Sequence, residues 1–344
     1  MATFIYNCNC CRYSEFFCFF YCSSHHLFCS FVSKTIYFFE RHKKTPFYFF
    51  LYRLNSIYRS ILKLNIFIKN SEEIITIFIG LRKLREKESD IQTFIEDITK
   101  LAGSLALEFY GKVSKERKQD SIVSKADRTV ENFLVSKILE RFPDDYILME
   151  EHGSKGIFNY DKSQRWWAID PIDGTGPFLS NLPFWSVSVA MLQGSEVVCS
   201  SLNMPLLGMF FSSKKEGKTT LNGNSLSKLS KNVRDEFDFS FVPCSPVNGL
   251  IIKYPGKRLA LAASSIHIAF VACGSAKGAI IEPNRAYDIA AASLILEQVG
   301  GCIRYLNGSE IDFAKLHDGE KMKTPIIASH PEEFSFFQKE VFWK

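Results

Sequence analysis

Arg165-Trp166-Trp167-Ala168-Ile169-Asp170-Pro171-Ile172-Asp173-Gly174-Thr175 is the stretch on which the reading of this chain turns. Its apolar first part predicts a buried strand over Arg165–Ile169. That strand runs into a turn, D-P-I-D-G-T, carrying two acids. Delivering carboxylates to the end of a buried strand is costly unless a cation or hydrogen bonds compensate. Pro171 stiffens the turn, and Gly174 lets the backbone approach a ligand closely. Asp170 and Asp173, with the carbonyl of Ile172 between them, can offer oxygens to one or two hard cations. An all-oxygen set suits Mg²⁺ or Mn²⁺ rather than zinc. Thr175 adds a hydroxyl, and the backbone N–H groups of Gly174 and Thr175 can receive a phosphate oxygen.

Upstream, Tyr146–Met149 predicts a short buried strand ending in Glu150-Glu151. A helix near Asp127–Phe142 places Val130, Phe133, Leu134 and Leu139 on its buried side and stops before Pro143. Gly111–Asp120 reads as a polar loop. Asp90 is positioned to cap an earlier helix whose apolar positions Ile91, Phe94, Ile95, Ile98, Leu101, Leu105 and Phe109 follow the 3.6 period. Downstream, Trp185–Leu192 alternates as a strand, and Val197–Asn203 with Met209–Ser213 predicts a hairpin around Leu207-Gly208. Ala286–Val299 predicts a helix closed by Gly300-Gly301. Asp288 lies in its first turn, where by itself it reads as an acid that offsets the helix dipole. Glu151 and Asp127 have equally ordinary readings as solvated or capping acids. Helices and strands alternate without a regular βαβ period, which predicts a layered α+β fold rather than a doubly wound sheet.

Taken as an ordered set, Met149-Glu150-Glu151, then D-P-I-D-G-T-x-x-F over Asp170–Phe178, then Tyr287-Asp288-Ile289-Ala290-Ala291 with Gly300-Gly301 resemble the signatures of the inositol monophosphatase superfamily of metal-dependent phosphatases. Asp120–Asp127 (D-S-I-V-S-K-A-D) and Asn222-Gly223 fit the same pattern. The resemblance implies an αβαβα sandwich of the sugar-phosphatase type, spanning roughly residues 90–340. It implies that Glu150, Asp170 and the carbonyl of Ile172 hold one Mg²⁺, and that Asp170, Asp173 and Asp288 hold a second. It implies that Asp127 and Thr175 orient and deprotonate the attacking water, and that the amides of Gly174 and Thr175 bind the phosphate. Chemically this is two-metal phosphoryl transfer to water. The chain departs from the family pattern at Met149, where Gly is usual, at Tyr287, where Trp is common, and at Ala262-Ala263, where Gly-Ser or Gly-Thr is common. Glu282 stands one residue out of step with the family's hydroxyl-binding Glu. Arg285 is a candidate for a polar or anionic substrate group. The expected substrate is a small phosphorylated metabolite, inositol monophosphate first, with histidinol phosphate, fructose 1,6-bisphosphate and 3′-phosphoadenosine phosphates as siblings. A homodimer is the expected assembly.

Residues 1–86 are a different kind of sequence from residues 87–344. They carry 12 Lys and Arg against 5 Asp and Glu, with 14 of the 32 Phe and six of the ten Cys. The basic excess of the chain, +5 overall, therefore belongs to this segment, and the remainder gives no electrostatic case for nucleic-acid binding. Phe16–Val32 has nearly the length of a short membrane span but is interrupted by serines and by His25 and His26. It carries the non-enzyme alternative, a membrane-associated binding protein of this fold that has lost activity. Cys8, Cys10, Cys11, Cys18, Cys22 and Cys29 with the two His lack the two C-x2-C pairs of a zinc site. The segment is read as lying outside the catalytic fold, with translation upstream of the true start as its simplest origin. Cys199, Cys244, Cys273 and Cys302 are scattered as reduced core cysteines are. With no clear export signal, a cytoplasmic location is expected.

Overall fold

A computed structural model of the chain describes residues 91–112, 116–117, 122–123, 125–230, 238–244 and 249–343. The readings of residues 1–86 and of Asp90 lie outside them. The described part opens on helix α1 (Ile91–Phe109), a ladder of β1 (Glu116–Arg117) with β2 (Ile122–Val123), and helix α2 (Lys125–Arg141). Strands β3 (Tyr146–Met149), β4 (Ser154–Lys155) and β5 (Arg165–Asp173) follow, then a short helix α3 (Thr175–Leu179). Next come β6 (Ser186–Gln193), β7 (Glu196–Met204), β8 (Met209–Lys214), β9 (Thr219–Leu221) and β10 (Asn224–Ser225). The last part holds β11 (Phe239–Phe241), β12 (Leu250–Ile252), β13 (Lys257–Leu259), α4 (Ser264–Ala272), β14 (Gly278–Ile281) and α5 (Ala286–Gln298). It ends with β15 (Cys302–Tyr305), β16 (Ile326–Ser329), α6 (Pro331–Glu340) and β17 (Val341–Trp343).

Eight strands form one sheet in the order β10-β9-β8-β7-β6-β5-β3-β4, and five form another in the order β13-β11-β14-β16-β15. The period-2 alternation of side chains sorts the layers. Ile147, Met149, Trp167, Ile169, Val187 and Val189 pack with Ile95, Ile98 and Ala102 of α1 and Val130, Leu134 and Ile138 of α2. Their neighbours Tyr146, Leu148, Trp166, Ala168, Ala190 and Leu192 pack with Ile266 and Ala269 of α4 and Ile289, Ala290 and Leu294 of α5. On the far side of α4 and α5, the same cluster takes in Ala279, Ile281, Ile326 and Ala328 of the second sheet. Ile280 and Ile327, on that sheet's outer face, meet Phe334 and Phe337 of α6. The result is the helix–sheet–helix–sheet–helix stack expected of an αβαβα sandwich.

Several local expectations need correction. The polar loop Gly111–Asp120 contains strand β1, which pairs with β2. The buried face of α1 runs through Ile95, Ile98, Thr99, Ala102, Gly103 and Ala106, with Ile91, Phe94, Leu105 and Phe109 at its margins. Small residues let the helix approach the sheet, and a Cβ on Gly103 would collide with the Asn203 side chain. Strand β6 does not alternate between core and solvent. It is buried on both faces from Ser186 to Leu192, because helices cover the sheet on both sides. Cys244 is exposed rather than a core cysteine. By contrast, Asn222 and Gly223 form the tight turn between β9 and β10 with φ of 52° and 81°, as a two-residue hairpin requires. The end of α5 is also as expected, with Gly301 N–H bonded to Leu296 O and Gly300 N–H to Glu297 O.

Candidate active site

The acids expected in a turn after β5 lie within the strand, which continues to Asp173. Two residues three apart on a regular strand point to opposite faces. Here the pairing with β6 slips: Asp170 lies opposite Ser188 while Asp173 lies opposite Ser186, so β5 carries one extra residue. This bulge brings Asp173 back to the face of Asp170 and leaves Ile169 and Ile172 together in the core beneath α1 and α2. Gly174 follows at φ 93°, where a Cβ would stand 2.7 Å from the Phe184 carbonyl oxygen. Only glycine fits this sharp exit into α3.

Asp170 is 1% exposed and accepts a hydrogen bond from Ile172 N–H at 3.0 Å. Asp173 accepts from Ser264 N–H at 3.2 Å and from Ser265 N–H at 2.8 Å, and also from the Ser265 hydroxyl. It therefore anchors the first turn of α4. Asp288 accepts from Arg285 N–H at 2.7 Å, so its first-turn capping role is real. It also faces the other acids. Glu150 follows β3 and is half-buried, and its Oε2 is buried without a hydrogen-bond partner. One oxygen each from Asp127, Glu150 and Glu151 lies within 4.8 Å of the others. Asp127 itself is fully buried on α2. Thr175 donates its hydroxyl to the Ile172 carbonyl at 3.2 Å, which leaves that carbonyl a second lone pair.

The electrostatics follow from this crowding. Glu150 and Asp170 are both held well above the ordinary carboxylate range. Burial is the main cause, followed for Glu150 by the charges of Asp288 and Asp127, and for Asp170 by those of Glu150 and Asp173. Burial pushes Asp173 up to about 6 against the hydrogen bonds of Ser265 and Ser264. It pushes Asp288 up to about 7, opposed by the Arg285 amide and reinforced by Asp173. Burial and mutual repulsion favour the protonated forms of these groups, and at Asp288 the charges of Arg285 and Lys321 oppose the shift. An oxygen-only donor set with an orphaned buried carboxylate oxygen is what a hard divalent cation fits.

The expected substrate residues are placed differently. Glu282 is half-buried just beyond β14, and burial raises its pKa against the pull of Lys321. Arg285 is exposed at the start of α5 and commits its Nε to the Gly319 carbonyl at 3.0 Å. Sequence reasoning missed three residues. Ser264 and Ser265, beside Ala262-Ala263, take the carboxylate of Asp173 through contacts 91 and 92 residues apart in sequence. Glu131 is fully buried and binds the Glu150–His152 turn. A signal for it existed: Asp127, Val130, Glu131, Leu134 and Ile138 form one buried helical stripe, and acids at i and i+4 within such a stripe are unusual.

The sequence profile of the inositol monophosphatase family matches residues 87–333. An inositol monophosphatase from Dictyostelium discoideum is 30% identical over 233 residues, which are 63% of this chain and 85% of that protein. A histidinol-phosphatase from Chlorobaculum parvum is 28% identical over 229 residues, 62% of this chain and 84% of that one. Among solved structures, an IMPase from Thermotoga maritima superimposes with a TM-score of 0.59 at 24% identity, covering 71% of this chain and 93% of that chain.

Proposed function

This chain belongs to the inositol monophosphatase family and is a phosphoric monoester hydrolase; within that family we propose a Mg²⁺-dependent phosphatase of a small phosphorylated metabolite, inositol monophosphate first. The observation that carries the metal dependence is the mutual repulsion of the buried acids Glu150, Asp170, Asp173 and Asp288, with no basic partner for Asp170 among the described residues and an orphaned oxygen on Glu150. Glu150, Asp170 and the Ile172 carbonyl would hold one Mg²⁺, and Asp170, Asp173 and Asp288 the other. When bound, Mg²⁺ lowers the pKa of water and offsets the charge of the phosphate. The protein's own groups do the rest. The Gly174 and Thr175 amides take phosphate oxygens, the bulge of β5 puts Asp170 and Asp173 on one face, and Asp127 with Thr175 orients the attacking water and receives its proton. Glu282 and Arg285 flank the substrate's organic part.

Histidinol phosphate is the second substrate to test, because a relative of similar identity is a histidinol-phosphatase. A phosphate-release screen over inositol 1-phosphate, histidinol phosphate, fructose 1,6-bisphosphate and a 3′-phosphoadenosine phosphate, with and without Mg²⁺, tests the reading. Release from none of them, or release unaffected by chelator, overturns it. No helix among the described residues is long and apolar enough to cross a membrane. We place the enzyme in the cytoplasm as a homodimer, with 87–344 as the catalytic domain and 1–86 outside it. Every proposed site residue lies at or beyond Asp127. A chain lacking residues 1–86 should therefore keep Mg²⁺-dependent activity within a few-fold of the full chain. A folded but inactive truncation would refute that division.

A further inference from the structure

Glu131 is an acid with no part in the chemistry above. It lies one helical turn beyond Asp127 on α2 and is fully buried. A buried carboxylate persists only where its lone pairs are met. Here three hydrogen bonds converge on a single turn. Glu151 N–H donates to Oε2 at 2.7 Å, His152 N–H donates to Oε1 at 3.1 Å, and His152 Nδ1 lies 2.5 Å from Oε1. The same turn is closed on its other side by Met149 N–H bonded to Gly153 O at 2.7 Å, with Gly153 at φ 77°. Glu131 thus ties the backbone after Glu150 to the helix that bears Asp127. These are the elements whose acids, Asp127, Glu150 and Glu151, bring oxygens within 4.8 Å of one another. Three acids so close repel, and Glu150 and Glu151 are only half-buried, so the turn has an outlet toward water.

We infer that Glu131 is a positioning residue that holds the Glu150–Glu151 turn against this repulsion, so that cation affinity is set by a side chain that does not touch the cation. The inference rests on the reading of the acids as a Mg²⁺ site. It differs from a purely structural role in what it moves. Loss of a buried hydrogen-bonded acid lowers thermal stability in either case, whereas only a positioning role changes Mg²⁺ affinity in protein that remains folded.

The test is isothermal titration of Mg²⁺ into the full chain and its Glu131→Gln variant, together with the Mg²⁺ dependence of phosphate release. The amide keeps the size of the side chain but sets an NH₂ group against an N–H donor. The dissociation constant should rise by about ten- to hundredfold, the usual consequence of removing a residue that orients a metal ligand. Phosphate release at saturating Mg²⁺ should stay within a few-fold of wild type. A lower melting temperature with unchanged Mg²⁺ affinity overturns the proposal. Should Glu131→Gln fail to fold, His152→Ala decides. It removes one of the three bonds and should weaken Mg²⁺ binding in the same direction by a smaller factor, and wild-type affinity in that variant also overturns the proposal. A wild-type chain that neither binds Mg²⁺ nor releases phosphate would instead sink the functional reading beneath it.

Discussion

At the start of β5, Asp145 accepts from Arg165 Nε at 2.5 Å, from Arg165 Nη2 at 3.0 Å and from Trp167 Nε1 at 2.7 Å. The guanidinium also lies 4.0 Å from the Phe142 ring centroid. At the other end of the same strand, Asp170 has one backbone amide within hydrogen-bonding distance and like-charged neighbours in Glu150, Asp173 and Asp288. One acid is closed into a bidentate ion pair of the kind that stabilises a fold. The other is buried at a free-energy cost that no basic residue among the described residues offsets. The difference separates an acid whose charge the fold pairs from acids that it crowds against one another.

The sharpest way to break this comparison is the same substitution at both ends. Asp170→Asn should lower turnover by at least about a thousandfold, roughly 4 kcal/mol of barrier, while raising the melting temperature of the metal-free protein by removing a repelling charge. Activity within tenfold of wild type would show that the acids at this end do not serve the reaction. Thr175→Ala leaves both ends' acids in place and removes a hydroxyl next to the bulge. It should lower kcat by about ten- to hundredfold with little change in KM, since the backbone amides that take phosphate remain. A change mainly in KM would contradict the role given to Thr175. Asp145→Asn should do the opposite of Asp170→Asn, losing about 1–3 kcal/mol of stability and several degrees of melting temperature with kcat unchanged. Thermal melts and steady-state kinetics on the two variants give all four readings.

The smallest effect is a dependence on pH. Asp173 and Asp288 have folded pKa values of about 6 and about 7, above their unfolded range. Their contribution to metal-free stability is fully present below about pH 4 and is lost as pH rises through those values, with a slope of up to about 1.4 kcal/mol per pH unit per group. His267, stacked on Phe241 and pushed down to about 4 by burial, has the opposite sign. It contributes equally with and without metal and cancels in the difference. Cation binding needs the ionised acids. The rise in melting temperature on adding Mg²⁺ should therefore grow from about pH 5 to about pH 8. A rise that shrinks over that range would mean these two acids are not ligands.

Reading along the chain was enough to find β3, the hairpin around Leu207-Gly208, the glycine stop at Gly300-Gly301 and the order in which the acids occur. These are local matters: apolar runs, positive-φ residues and punctuating glycines act within a few residues of themselves. It could not find what depends on partners far away in sequence. The extra residue in β5 exists only relative to Ser186 and Ser188 across the ladder, and without it the i, i+3 spacing of Asp170 and Asp173 would place them on opposite faces. Strand β6 looked half-solvated because its second helical cover, α4 and α5, begins far downstream. Ser264 and Ser265 look like an ordinary helix start until Asp173 is brought to them. The sequence by itself determined which acids and turn residues the candidate site draws on. The tertiary structure alone decided that they meet, because strand pairing and helix covering are non-local contacts that no short-range periodicity records.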